Sequence, residues 1–317
     1  MVSAASIFTV VLSLVTLASC ASSYTFGEQP SLAANTAWSL VHDRPVVYAD
    51  KNFTSFPINN TGFINETRGI AVCNLAQILF TDNGGKTWQL AKLPLTNGGF
   101  TSLEIMNNDM AWASGINMLR ASSDGGNSWR ELSDYGAVHA SGNYLSFVSP
   151  MVGWYAVSKD SGSVHPLVIT HDGGETWSPV AIPDDIEEKI MAISLLSEST
   201  GFILLISGKI LRTDNAGVNW HSISLPITKR IIVKENLGAP VEALRFTSSL
   251  QGTVVLYFDK PRGFAVFDTE DGGKSWQEQI LPHLEEVTIG NVFLSRDARY
   301  LTITDLNSKK IRLYRRQ

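Results

Sequence analysis

Cysteine is nearly missing from this chain: two residues in 317, Cys20 and Cys73. Two thiols give no disulfide framework, and Cys73 lies in the apolar stretch GIAVCNLAQILF, where cysteine serves as a small core hydrophobe. A strong charge of either sign is also missing, the net charge being −5. The one basic cluster is Lys309, Lys310, Arg312, Arg315 and Arg316, too small for a nucleic-acid footprint and read as a solvated last strand. Six histidines are scattered without metal-ligand spacing, and the glycine pairs form no phosphate-binding loop, so neither a metal nor a cofactor is expected. Helical periodicity is nearly absent, residues 184–192 (DDIEEKIMA) offering the single candidate helical turn.

The apolar run at residues 7–18 is too short to cross a bilayer comfortably but suits a signal-peptide core. It meets LASC at 17–20, which resembles the lipobox of bacterial lipoproteins, although MVSAAS ahead of it lacks Lys and Arg. That resemblance implies lipidation of Cys20 and attachment to the outer side of a bacterial membrane. A second reading stays open, in which the chain is secreted by a eukaryote and glycosylated. Asn52, Asn59 and Asn65 each begin an N-x-S/T acceptor. In both readings residues 1–20 form a signal peptide and 21–36 a linker.

From residue 37 onward the chain repeats. TDNGGKTW at 81–88 returns as SSDGGNSW, THDGGETW, TDNAGVNW and TEDGGKSW, ending on Trp88, Trp129, Trp177, Trp220 and Trp276. Three apolar strands precede each element's close, and a fourth short strand follows it and runs into a Pro-containing link. Four strands in roughly 40–50 residues is the signature of a propeller blade. A sixth set of strands fills 287–316, and Trp38 begins an orphan strand at the other end. Pairing that strand with the last blade would close the ring without a bare edge. Six blades over residues 37–317 are therefore expected. Seven is the alternative, because Trp220 and Trp276 are 56 residues apart; the excess at 227–240 is read as an inserted loop.

Within the element, Asp124, Asp172 and Asp271 suit a side chain that caps backbone N–H groups inside a turn. Asn83 and Asn215 replace them in two copies, and asparagine caps a turn but is no carboxylate catalyst. The element resembles the Asp-box, or bacterial neuraminidase repeat, S/T-x-D-x-G-x-T-W. That resemblance implies a turn between the third and fourth strands of each blade, remote from sialidase active sites.

The cadence of the whole mature chain is similar to the photosystem II assembly factor-like family of exported proteins. It implies a non-enzymatic, monomeric platform that binds another protein or a glycan. The other branch of Asp-box propellers implies a sialidase or related glycoside hydrolase. Its arginine motif before the first box finds a partial echo in DRP at 43–45, with Arg44. Arg68, Arg120, Arg212, Arg245 and Arg262 complete the supply, each read as an isolated surface residue.

Overall fold

The computed structural model describes residues 38–49, 58–94, 98–115, 118–132, 144–157, 166–183, 188–225, 243–259, 262–283, 289–305 and 309–317. Of 257–259, 262–264 and 289 it describes the backbone alone. The signal peptide, the linker, Cys20, Asn52 and the 227–240 insertion lie outside these residues.

The first strand, β1 (Trp38–Pro45), joins the last blade. Blade 1 is β2 (Ile58–Phe63), β3 (Gly69–Cys73), β4 (Ile78–Thr81) and β5 (Gln89–Leu90). Blade 2 is β6 (Phe100–Ile105), β7 (Ala111–Gly115), β8 (Met118–Ser122) and β9 (Arg130–Leu132). Blade 3 is β10 (Tyr144–Phe147), β11 (Gly153–Ala156), β12 (Leu167–Thr170) and β13 (Ser178–Pro179). Blade 4 is β14 (Ile190–Leu195), β15 (Gly201–Leu205), β16 (Ile210–Thr213) and β17 (His221–Ile223). Blade 5 is β18 (Ala243–Phe246), β19 (Gly252–Asp259), β20 (Arg262–Thr269) and β21 (Gln277–Gln279). Blade 6 is β22 (Ile289–Leu294), β23 (Tyr300–Asp305) and β24 (Lys310–Arg316), with β1 as its outermost strand. Six antiparallel four-stranded sheets make a six-bladed propeller, and every named element is a strand. The expected helical turn is therefore corrected where it is described: Ile190–Leu195 is the innermost strand of blade 4.

Closure follows the expected route. Trp38 stands opposite Arg316 and Pro45 opposite Lys310, so the two ends of the propeller interlock in one blade. The Arg316 guanidinium lies 4.7 Å from the centre of the Trp38 ring, over its face.

Inner strands such as β3, β7 and β15 are buried at every position, because each blade is covered by a neighbour on both faces. This replaces strict polar–apolar alternation with continuous apolar runs. The short outermost strands, such as β5, are exposed. One apolar cluster fills each of the six interfaces between neighbouring blades. Aromatic residues set the spacing: Phe147 stacks on Trp112 at 3.7 Å between ring centres, and Phe246 on Phe202 at 3.6 Å. Glycine opens β11 because a Cβ on Gly153 would lie 2.5 Å from the Phe147 ring. Cys73 is fully buried, and loss of hydration pushes its thiol up to about 12, so it stays protonated and inert.

Candidate functional site

Each recurring element joins the third strand of its blade to the fourth. In the third copy, Thr170 Oγ1 donates to Asp172 Oδ1 at 2.8 Å and accepts from Gly174 N at 2.9 Å. Asp172 Oδ1 then accepts from Thr176 N at 2.9 Å, and Oδ2 from Thr176 Oγ1 at 2.5 Å. Bonds from Thr176 hold the Asp172 carboxyl at about 2, and bonds from Ser275 do the same for Asp271. At Asp124, burial pushes upward but bonds from Ser128 and Ser122 outweigh it, so its carboxyl is lowered too. Asn83 accepts from Thr87 N at 3.1 Å and Asn215 from Asn219 N at 2.8 Å, the same turn without the charge. The paired glycines take left-handed angles, as at Gly125 and Gly126, and Ala216 takes φ 55° where one copy lacks the first glycine. Trp129 and Trp177 donate to their own box carbonyls, Gly126 O and Gly174 O, both at 3.1 Å. Trp88 is buried, while Trp177, Trp220 and Trp276 are half-buried. These ten residues frame turns, and their acceptors are occupied.

Arg44, Arg68, Arg120 and Arg212 do not converge. Arg44 donates to Gly84 O of the first box, and Arg68 to Gly125 O of the second at 2.6 Å. Arg212 reaches Ser249 O beside the fifth box at 3.0 Å. Each comes from the preceding blade, so these three are clamps between blades rather than isolated surface residues. Arg120 is buried and donates to Leu119 O at 2.9 Å. The Arg262 side chain is outside the described residues. Asn59 donates to Phe100 O and Asn74 Oδ1, both at 2.7 Å, and Asn65 accepts from Thr67 N and Arg68 N in the loop after β2.

Sequence reasoning missed the centre of the ring. Glu104 on β6 and Arg245 on β18 belong to blades 2 and 5, which face each other across six blades. They meet on the axis through two bonds of 2.8 and 3.2 Å, with Glu104 only 1% exposed. A parallel crossing lies beside it: Arg296, in the loop after β22 of blade 6, donates to Phe147 O and to Val148 O (2.8 Å) of blade 3. Burial lowers the Arg296 pKa, the Glu104 charge opposes that, and Arg245 adds to it. These side chains close the channel. Outside them opens a cavity of about 660 Å³ at the mouth on the box face, lined by Met106, Leu195, Phe246, Arg245, Arg296 and Arg299. Asp297 also lines it and lies 3.8 Å from Arg299. A lone acid in the apolar strand FTSLEI was the one sequence signal pointing to Glu104. Its partner 141 residues away carried none. Among the described residues no group of three or more His, Cys, Asp or Glu is placed to hold a metal, and no helix is long and apolar enough to cross a membrane.

The BNR/Asp-box repeat model matches residues 168–179, the third box and its flanks. No curated protein matches the chain by sequence. Among solved structures the chain is similar to YCF48 bound to D1 peptide, with 16% identity, 91% of this chain and 97% of that one covered, and a TM-score of 0.50. It is similar to YCF48 from Cyanidioschyzon merolae, with 13% identity, 89% and 98% covered, and a TM-score of 0.50. It is also similar to the GH74 xyloglucanase from Xanthomonas campestris, with 16% identity and a TM-score of 0.53, covering 78% of this chain and 43% of that one. At these identities the likeness is one of fold.

Proposed function

We propose that this propeller is a non-enzymatic binding or assembly platform, exported and anchored through Cys20, that holds a segment of another protein at the mouth on its box face. The observation that carries the reading is the charge of that mouth. Arg245, Arg296 and Arg299 stand against Glu104 and Asp297, leaving one positive charge in excess at a concave site. Low-dielectric walls focus such a field. The molecule as a whole is acidic, with net charge −5, so an acidic segment is repelled elsewhere and drawn here. The peptide held by YCF48, a ring of similar fold, supports the same use of the architecture.

The glycoside hydrolase reading rests on the likeness to GH74 enzymes. It would require free carboxylates in a cleft. Glu104 is instead tied by both oxygens to Arg245, and the box carboxylates are tied within their turns.

The test is affinity capture from the native source with the full chain and with Arg299→Glu. The platform reading expects one partner recovered by the wild type and at least tenfold less by the variant. Release of reducing sugar from xyloglucan or sialosides, abolished in Glu104→Gln, would overturn it. Mass spectrometry of the mature N-terminus tests the anchor: a diacylglyceryl Cys20 supports it, and an unmodified start beyond Cys20 with sugar on Asn52, Asn59 or Asn65 overturns it.

A further inference from the structure

Five boxes serve six corners of the ring, and the sixth corner is built differently. The third, fourth and fifth boxes pack against the preceding blade at the residue three places after that blade's box tryptophan. A Cβ on Gly174 would lie 3.0 Å from Leu132, and one on Gly217 or Gly273 would lie 2.5 Å from Val180 or Ile223. Blade 1 places Ala91 at this position. Blade 5 places Gln279 there, and no box follows it. The residue ahead of the box threonine or serine is Phe80, Ala121 and Ile169 in blades 1 to 3 but Arg212 and Asp268 in blades 4 and 5, so Gln279 is what sets blade 5 apart. The wall that would have received a sixth box is therefore polar in its own sequence.

A cavity of about 510 Å³ occupies this corner. That volume falls within the roughly 300–1,000 Å³ of small-molecule sites. Its inner wall is fixed: Arg316 Nη2 donates to Thr253 Oγ1 at 2.7 Å and to Asp268 Oδ1 at 2.8 Å, backed by the Trp38 ring. Two buried donors there lack an acceptor, Trp276 Nε1 and Arg316 Nε. Trp129, Trp177 and Trp220 by contrast all have carbonyl acceptors for their indole N–H. Around the rim, Gln251, Gln277 and Gln279 offer amides, which both donate and accept.

We propose that the boxless sixth corner, between blades 5 and 6, is a binding site for a hydroxyl-rich ligand without negative charge, namely a short neutral oligosaccharide. Three features select that chemistry. Asp268 pairs with Arg316 and Asp297 with Arg299, while Glu270 adds one negative charge to the lining, which disfavours an anionic ligand. Among the described lining residues, all but Trp276 and Ala298 have polar side chains or none, which offers a peptide little apolar anchorage. The two-way amides of Gln251, Gln277 and Gln279 match hydroxyl groups, which accept and donate at one atom. A box loop lent by another chain does not fit, since its glycine would land on Gln279 rather than on an apolar side chain. This site adjoins the protein platform at the mouth, sharing Thr247, Asp297 and Arg299 with it, so Gln277 and Gln279, which line this cavity alone, are the residues that tell the two apart.

The experiment is saturation-transfer NMR on the full chain against a library of neutral gluco-, manno-, galacto- and N-acetylglucosamine oligosaccharides. Gln279→Leu and Gln277→Ala are run beside it, the first copying Leu132 of blade 2. The expected result is binding of at least one oligosaccharide with a shift of the Trp276 indole N–H resonance. Affinity should fall at least tenfold in both variants, whose melting temperatures stay at or above the wild-type value. The proposal is overturned if no oligosaccharide binds, if binding is unchanged in both variants, or if the Trp276 resonance answers to an acidic peptide instead.

Discussion

The rim and the axis of this propeller use charge in opposite ways. At the rim, Asp172 is held by residues within four positions of it, Thr170 and Thr176, in a turn open to water. At the axis, Glu104 is held by Arg245 from 141 residues away, in a place water barely reaches. The rim network is local, repeated and tolerant, since asparagine fills the same role twice. The axial pair is non-local and single, and a buried charge without its partner is costly. The difference teaches that repetition marks what holds each blade, while what crosses the ring is marked by burial.

The most severe break is at closure. Deleting residues 310–317 removes β24 and leaves β1 unpaired, opening two interfaces at once. Loss of cooperative thermal unfolding is expected, and calorimetry showing one transition at the wild-type temperature would refute the scheme. Next comes the axis. Arg245→Ala strands Glu104 and should lower stability by about 3–5 kcal/mol, whereas Arg245→Met with Glu104→Leu should recover most of that loss. Urea titration of the three variants decides, and equal losses in the single and double variants would show that the pair is not the unit.

How far the sequence could be read follows the same division. The five boxes, six blades and Trp38 closure were legible because each rests on neighbours in sequence or on a repeat. The channel was not: Arg245 in ALRF resembles any strand arginine until blades 2 and 5 are set opposite each other. Arg44 and Arg68 were misread as surface residues for a related reason, since the carbonyls they clamp belong to the next blade.

A third prediction concerns pH. His42 on β1 is buried against Phe63, their ring centres 5.4 Å apart; burial first and the nearby Arg44 second lower its pKa to about 4. The unfolded chain takes up a proton near pH 6.5. Between there and pH 4 the unfolded state binds more protons, so stability is full above pH 6.5 and falls as pH drops through this window. The loss should reach at most about 3 kcal/mol. His42→Gln should flatten the midpoint-against-pH curve over that range, and an unchanged slope would count against it. The smallest effect belongs to the rim: Asp172→Ala should cost about 1–2 kcal/mol by freeing its donors, and Asp172→Asn close to nothing. Thermal melts at neutral pH separate the two, and equal losses would mean the charge itself matters there.

Closure also has a mechanical side. Trp38 and Arg316 sit side by side at the same end of the β1–β24 pair, so tension applied at these two residues opens the pair from that end. The rungs then break one after another instead of sharing the load in shear. A seam that contributes to two apolar interfaces is thereby a weak point under force. Pulled at residues 38 and 316, this ring should yield first at blade 6.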